Sequence, residues 1–113
     1  MIIETLQKIG LDEKEIKIYL ANLELGQSPA STISKKANIQ RELTYVVLKR
    51  LEQKGIASHT TKNYKKYYSV INPEGLIKQL EEKQFLLKKI LPELKKIKEK
   101  TAIKKPSSET FEG

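Results

Sequence analysis

The chain has 113 residues and a formal net charge of +8, and hydrophobic residues make up 38% of it; this balance is typical of one small globular domain with a modest core. It contains no cysteine and a single histidine, which excludes disulfides, thiolate metal sites and two-histidine metal sites. No apolar run approaches the roughly 18 residues of a membrane span, and no basic segment precedes an apolar one at the N-terminus. We therefore expect a cytoplasmic protein without a signal peptide or membrane segment.

Positive charge is concentrated in the middle of the chain. Acidic side chains exceed basic ones by two in residues 1–26, whereas basic side chains exceed acidic ones by seven in residues 27–70 and by three in residues 71–113. A surface that binds a polyanion needs such a local surplus, and general solubility does not. A chain that is merely rich in lysine would also be basic, so composition alone leaves both interpretations open.

Two helices are predicted in the first 26 residues. Apolar residues at helical spacing indicate a helix over residues 2–9, which Gly10 ends. Asp12 followed three residues later by Glu15 is the pattern of a capping box. It predicts the start of a second helix, which Gly26 ends because glycine adopts the left-handed conformation at little cost.

The next two predicted helices are separated by a very short turn. Ser28 and Pro29 predict a helix start, with serine as the cap and proline at the first helical position. This helix is short and closes at Asn38, and another helix runs over residues 40–54. Two helices joined by so short a turn must cross at a steep angle, which is the geometry of a helix-turn-helix.

The segment after the fourth helix is rich in β-branched and aromatic residues. We predict strands over residues 56–59 and 64–70, with a turn at residues 62–63 because asparagine tolerates a positive φ. Of the three tyrosines in the second of these segments, we expect Tyr67 to be buried and the other two to be partly exposed. A hairpin that follows three or more helices in this way is a wing.

Asn72 and Pro73 predict the start of the longest helix, which extends to about Lys100. Its apolar residues follow the alternating four-three spacing of a coiled-coil seam, which predicts the contact face of a homodimer. The residues of this face are Leu76, Leu80, Leu87, Ile90, Leu94 and Ile97. Pro92 cannot donate a backbone hydrogen bond, so a kink or break is expected near residues 88–91.

The predicted fold is mainly α with a small β-hairpin. It consists of a winged helix-turn-helix over residues 1–72, a long C-terminal dimerisation helix over residues 73–103 and a disordered tail over residues 104–113. Catalytic machinery is not evident, because Glu81 and Glu82 diverge by about 100° on a helix and the scattered glycines form no phosphate-binding loop. We therefore predict no enzymatic activity, no cofactor and no metal.

Residues spread along the predicted elements carry a resemblance to one family. They are Ile9, Gly10, Leu11, Glu15, Lys17, Tyr19, Leu20, Leu23, Glu24, Leu25, Gly26, Ile33, Ile39, Arg41, Tyr45, Val47, Leu48, Leu51, Glu52, Gln53, Lys54, Gly55, Ile56, Lys66, Tyr67, Val70, Pro73 and Glu74. In this pattern, which covers about residues 5–80, the chain resembles the N-terminal domain of the TrmB family of archaeal and bacterial transcriptional regulators. The resemblance implies a winged helix-turn-helix that binds double-stranded DNA. Many members continue into a sugar-binding effector domain; here we expect a stand-alone form, and we infer no small-molecule effector.

The helix over residues 40–54 departs from the usual pattern of the family. Glu42, Leu43 and Val46 stand where small, basic or acidic residues are more common. Helical periodicity predicts a buried face, formed by Thr44, Val47, Leu48 and Leu51. Leu43 and Val46 are then expected to be exposed.

A recognition helix enters the major groove with its N-terminal residues leading. The candidate base contacts are therefore Gln40, Arg41, Glu42, Tyr45 and Val46. Arginine suits guanine, glutamine suits adenine and glutamate suits the amino group of cytosine. The candidate phosphate contacts, together with Asn63 at the tip of the wing, are Lys35, Lys36, Lys49, Arg50, Lys62, Lys65 and Lys66.

These features predict a homodimer that presents two recognition helices to successive major grooves and represses transcription by occupying a promoter. Two alternatives remain open. The winged helix could instead bind a protein through Leu43 and Val46, or it could coat DNA without sequence preference. The lysine-rich segment over residues 83–105 either contacts DNA or forms the solvated face of the dimer helix.

Overall fold

A computed structural model of the protein describes the backbone of residues 1–104 and the side chains of residues 1–100. The elements are α1 (Ile2–Lys8), α2 (Glu13–Leu25), α3 (Ala30–Ala37), α4 (Arg41–Gln53), β1 (Ala57–Lys62), β2 (Lys65–Val70) and α5 (Pro73–Lys104). The prediction of a mainly helical fold with a small hairpin and a long last helix is confirmed. The predicted tail lies outside the described residues, apart from Lys104, which belongs to α5.

Residues Met1–Leu76 form one unit, which we call the head, and α5 from Ile77 onward belongs to a second unit. The core of the head joins all four short helices and the hairpin. Its most deeply buried apolar side chains include Ile16, Ile18, Tyr19, Ile33, Val47, Leu48, Leu51, Ile56 and Tyr68. On α4 the buried face is the predicted one, because the four residues at helical spacing are its buried residues. None of the described helices combines the length and the apolar character needed to span a membrane.

Side-chain caps set the starts of two helices as predicted. At α2, Asp12 Oδ1 accepts from the backbone N–H of Glu15 at 2.8 Å, and Glu15 Oε1 accepts from the backbone N–H of Asp12 at 2.9 Å. At α5, Asn72 Oδ1 accepts from the backbone N–H of Gly75 at 2.9 Å. These bonds satisfy backbone donors that the first turn of a helix leaves without a partner.

The predicted cap at Ser28 is wrong, because Pro29 occupies the cap position of α3. Ser28 instead pairs with Tyr68 of β2: its N–H donates to Tyr68 O at 3.0 Å, and Tyr68 N–H donates to Ser28 O at 2.7 Å. The Ser28 hydroxyl donates to the carbonyl of Gly26 at 3.0 Å. The backbone N–H and C=O of Ser28 are therefore both hydrogen-bonded to β2, and this short bridge holds the wing against the rest of the head.

The hairpin turn lies one residue later than predicted. Asn63 and Tyr64 are its two central residues, with φ angles of 53° and 63°, and Lys62 faces Lys65 in the antiparallel register. Positive φ at both positions is the pattern of a two-residue type I′ turn. The first strand consequently extends to Lys62 rather than ending at residue 59.

The identity of the buried tyrosine in the hairpin was predicted wrongly. Tyr68 is buried, with 4% of its surface exposed, whereas Tyr67 is half-buried and Tyr64 is fully exposed. Side chains alternate between the two faces of a strand, so once one residue of β2 faces the core, the faces of all its other residues are set. Here the bridge to Ser28 directs Tyr68 towards the core.

The helix α5 has 32 residues and contains Pro92, so it is about 48 Å long at about 1.5 Å per residue. The helix is continuous through residues 88–91, so the expected break is wrong, and the alternative of a kink stays a prediction. Proline removes one backbone hydrogen bond, and the neighbouring leucines, lysines and glutamate favour the helix on both sides. Large apolar side chains on α5 are 41–62% exposed, namely Ile77, Leu80, Phe85, Leu86, Leu87, Ile90, Leu91, Leu94 and Ile97. Leu76, by contrast, packs against the core of the head.

Candidate nucleic-acid interface

The start of α4 is exposed on the side opposite its buried face. Arg41 and Glu42 are exposed in the first turn, and Tyr45 and Val46 in the next are 44% and 54% exposed. Gln40 occupies the cap position, and its side chain makes no capping hydrogen bond. The side chains predicted to contact bases are thus accessible to solvent.

Leu43 was predicted to be exposed, and this is wrong. Its side chain is half-buried and packs against the core of the head. Leu43 precedes Val47 by one helical turn, and residues four apart lie one above the other on the same face. Val46, unlike Leu43, is therefore an exposed apolar residue at the start of α4.

A groove lies between the starts of α3 and α4 and the turn of the wing. Its lining comes from three separate parts of the chain: Pro29, Ala30, Ser31, Arg41, Tyr45, Tyr64, Lys65 and Lys66. We call it the α4–wing groove. Four of the predicted DNA-contacting residues meet in it, two from α4 and two from the wing.

The wing carries concentrated positive charge. Lys62 and Lys65 face each other across the hairpin, and Lys66 faces Thr61. Like charges at facing positions of a sheet repel and destabilise it. Among the described side chains, these three lysines are exposed and take part in no ion pair. An anionic partner at this edge would relieve the repulsion.

Other cations of the middle segment are paired with carboxylates of the acidic N-terminal segment. Lys36 Nζ lies 3.2 Å from Glu24 Oε2, and Arg50 Nη1 lies 3.4 Å from Asp12 Oδ2. These two cations were predicted to contact phosphate. Lys35 and Lys49, in the same prediction, are exposed and form no ion pair among the residues that the structure describes.

Glu15 organises a buried polar cluster at the end of α4, which the sequence analysis did not find. Its side chain is 2% exposed and lies 2.8 Å from Lys54 Nζ and 3.8 Å from Arg50 Nε. Lys54 also donates to the carbonyl of Gly10 at 3.0 Å. The capping motif identified Glu15 as a cap, but its cationic partner lies 39 residues further along the chain. This cluster holds the last turn of α4 against the start of α2.

The base of the wing is joined to the last turns of α4. His59 Nδ1 lies 2.5 Å from Glu52 Oε2, and the His59 ring lies against the buried Tyr68 with 5.5 Å between centroids. Burial raises the pKa of Tyr68, with smaller contributions in the same direction from Glu52 and Tyr45. The wing and α4 thus share a polar contact, and the aromatic contact lies between the two strands of the wing. In the described part of the chain, no group of acidic, histidine or cysteine side chains is arranged to hold a metal ion.

A helix-turn-helix followed by a two-stranded wing, with an exposed helix start beside a basic hairpin, defines a winged helix-turn-helix domain of the kind found in transcriptional regulators. Residues 6–74 match the model of the family described as sugar-specific transcriptional regulator TrmB. The match spans more than half of the chain, and the chain belongs to the TrmB family.

Three proteins similar to this chain come from archaea. The HTH-type sugar sensing transcriptional regulator TrmBL1 of Pyrococcus furiosus is 35% identical over 83 residues, which are 72% of this chain and 24% of that protein. The structure of TrmBL2, described as an archaeal chromatin protein with a novel mode of DNA binding, matches with a TM-score of 0.76 and 26% identity over 97% of this chain and 43% of that one. A possible transcriptional regulator from Methanosarcina mazei has the same fold, with a TM-score of 0.64 and 16% identity over 83% of this chain and 87% of that one. The chain thus spans about a quarter of TrmBL1 and less than half of the TrmBL2 chain.

Proposed function

We propose that the head binds double-stranded DNA and that the protein is a sequence-specific transcriptional regulator, acting as a homodimer that represses by occupying a promoter. The observation that carries this proposal is the α4–wing groove, in which Arg41 and Tyr45 of α4 lie beside Lys65 and Lys66 of the wing. A helix start that leads into the major groove and a basic hairpin beside it match the surface of a duplex, which offers base edges between two rows of phosphates.

The roles of the contacts follow from their chemistry. The planar guanidinium of Arg41 suits the two acceptors of guanine, the Gln40 amide suits adenine, and Glu42 can accept from the amino group of cytosine. Val46 suits a thymine methyl group. The remaining contacts are to phosphate, through the exposed lysines Lys35, Lys49, Lys62, Lys65 and Lys66. Lys36 and Arg50 would first have to leave their carboxylate partners on α2.

The exposed apolar face of α5 supports the homodimer. Leu80, Leu87, Ile90, Leu94 and Ile97 follow the spacing of a coiled-coil seam and are 41–62% exposed. Each Å² of such surface that a second copy covers contributes about 25 cal/mol. Two identical heads would read two half-sites related by two-fold symmetry, so we expect a palindromic operator with half-sites about one helical turn apart.

Selection of bound duplexes from a random pool at near-physiological salt tests the proposal. Enrichment of a palindrome is expected. If each head neutralises ~4 phosphates, the logarithm of the binding constant should fall with the logarithm of the salt concentration with a slope of about −7. Arg41→Ala should lower the enrichment of the palindrome, and Lys8→Ala, which removes an exposed lysine of α1, should leave it unchanged. A slope near −1 would contradict the predicted number of phosphate contacts. If the protein binds duplexes with measurable affinity but no sequence is enriched, the binding is not sequence-specific.

A second candidate function is architectural binding without sequence preference. The observation that favours it is the likeness to TrmBL2, which is described as a chromatin protein and matches 97% of this chain. Specific regulators bind their sites typically 10³–10⁷-fold more tightly than other DNA. A ratio near one between the affinities for the best selected duplex and for random duplex would support the architectural function.

A further inference from the structure

The turn of the wing contains a backbone conformation that is unfavourable for the residue that adopts it. Tyr64 has a φ of 63°, in the left-handed region. Asparagine and glycine enter this region readily, whereas for a bulky side chain it is a costly outlier. Asn63, the other central residue of the turn, is of the tolerant type. Tyrosine at the second position therefore opposes the local preference of the turn.

Packing inside the head does not offset this cost. The Tyr64 side chain is fully exposed, with a relative exposure of 103%, and no ring contact or hydrogen bond of it is found among the described residues. A strained residue that the fold itself does not use is a reason to look for an intermolecular role. Tyr64 lines the α4–wing groove with Arg41, Tyr45 and two lysines.

We propose that Tyr64 is a DNA-contacting residue of the wing, whose ring packs against the deoxyribose edge of the minor groove next to the recognition helix. This inference rests on the proposed function of the head. Stacked bases in a duplex expose no free faces, so the apolar surface available to a ring at the wing is the sugar edge. Tyrosine covers such a surface with a large rigid ring and keeps its hydroxyl in water or near phosphate.

The division of labour in the wing then follows from the two kinds of side chain. Lys65 and Lys66 attract the backbone through charge, and this part of the affinity weakens as the salt concentration rises, because the release of counterions from the DNA is then less favourable. Burial of the Tyr64 ring contributes an apolar part that salt does not screen. The two parts can be separated, because only the first changes the slope of affinity against salt.

Two substitutions remove the ring while they improve the turn. Tyr64→Gly creates Asn-Gly, the preferred pair of a type I′ turn, and Tyr64→Asn places a residue that tolerates positive φ. Because both relieve the strain, we expect the Tm to rise by about 4 °C or more. We expect the Kd for the selected duplex to weaken about tenfold in both variants, with the salt slope unchanged. Lys65→Ala serves as the comparison, and its salt slope should fall by about 1 for each head.

A rise in Tm with an unchanged Kd in both variants would overturn the inference, and so would a change of salt slope as large as that of Lys65→Ala. Tighter binding of the wild-type chain to a single strand than to the duplex of the same sequence would also overturn it, because the ring would then stack on unpaired bases. The first two results leave duplex binding by the head intact, whereas a preference for the single strand would also contradict the proposed function. If the wild-type chain binds no duplex, the proposed function itself fails, and the role of Tyr64 fails with it.

Discussion

The two ends of α4 carry similar cations in different surroundings. At its start, Arg41 lies with Tyr45 in an open groove and forms no ion pair among the described side chains. At its end, Arg50 and Lys54 lie 3.4 Å and 2.8 Å from carboxylates at the start of α2. One end of the helix is thus available to an anionic partner, and the other end has its partners inside the head.

The difference shows that a basic segment is not the same as a basic surface. The side chain of Glu15 is 2% exposed, and a charge so far from water needs a cation and hydrogen bonds around it. The acidic α2 consequently takes up part of the positive surplus of residues 27–70. The cations of this segment that form no ion pair among the described side chains are Arg41 at the start of α4 and Lys62, Lys65 and Lys66 on the wing, together with Lys35 and Lys49.

The largest expected effect concerns the end of α4, where Lys54 is paired with Glu15. Lys54→Ala leaves the Glu15 carboxylate without its nearest cation, and we expect the free energy of unfolding to fall by about 2–3 kcal/mol, below the range for fully buried pairs because Lys54 is partly exposed. Urea unfolding measures this loss. Lys49→Ala on the same helix is the control and should stay within about 0.5 kcal/mol. Equal losses in the two variants would show that the paired Lys54 stabilises the head no more than Lys49 does.

The next effect concerns the start of α4, where Arg41 lies in the α4–wing groove. Arg41→Ala should weaken binding to the selected duplex by about 1–3 kcal/mol for each head, because a bidentate contact to a base is lost, while unfolding remains unchanged. Arg50→Ala is the matched arginine at the other end of the helix, and we expect less than about a threefold change in Kd. If Arg50→Ala costs as much as Arg41→Ala, Arg50 leaves Asp12 for phosphate on binding, and the comparison between the ends does not hold in the complex.

A smaller effect separates two lysines by their salt dependence. Lys66→Ala should reduce the slope of affinity against salt by about 1 for each head, because a phosphate contact is lost. Lys36→Ala removes a lysine that lies 3.2 Å from Glu24 and should leave the slope nearly unchanged. Titrations over a series of salt concentrations measure both slopes. The same decrease in both variants would show that Lys36 exchanges its carboxylate for phosphate.

The smallest effect concerns alkaline pH at the base of the wing. Burial and the nearby Glu52 raise the pKa of Tyr68 above its usual value of 10.0, so the folded protein favours the neutral phenol. The contribution of this group to stability is complete below pH 10 and is lost as the pH rises through the higher pKa of the folded state. Tyr68→Phe should flatten the decline of the Tm over this alkaline range. A decline as steep as that of the wild type would assign the alkaline sensitivity to another group.

Several predictions that depended on residues within one helical turn agree with the structure, although the exposure of Leu43 and the break before Pro92 were predicted wrongly. The capping box of α2, the glycine that ends it and the end of α3 at Asn38 were all expected from the sequence. Their bonds join groups three or four residues apart, and the chain brings such groups together whenever the helix forms. The buried face of α4 follows equally from the helical period.

Predictions that depended on distant segments were wrong or incomplete. Ser28 and Pro29 have the local pattern of a cap and first helical residue, but the sheet uses the backbone of Ser28. The turn of the hairpin was placed one residue early, and the buried tyrosine was misassigned with it. In each case a hydrogen bond or packing contact between residues far apart in sequence outweighed a local preference.

The order of helices, the caps of α2 and α5, the winged fold and the surplus of positive charge were determined by the sequence alone, because short-range hydrogen bonds, the period of apolar residues and composition set them. Only the packing of α2 against α3 and α4 decided which cations are paired with Asp12, Glu15 and Glu24 and which remain unpaired among the described side chains. Which oppositely charged groups lie within reach of a charged side chain depends on how the helices pack. These distances exist only once the helices have packed together.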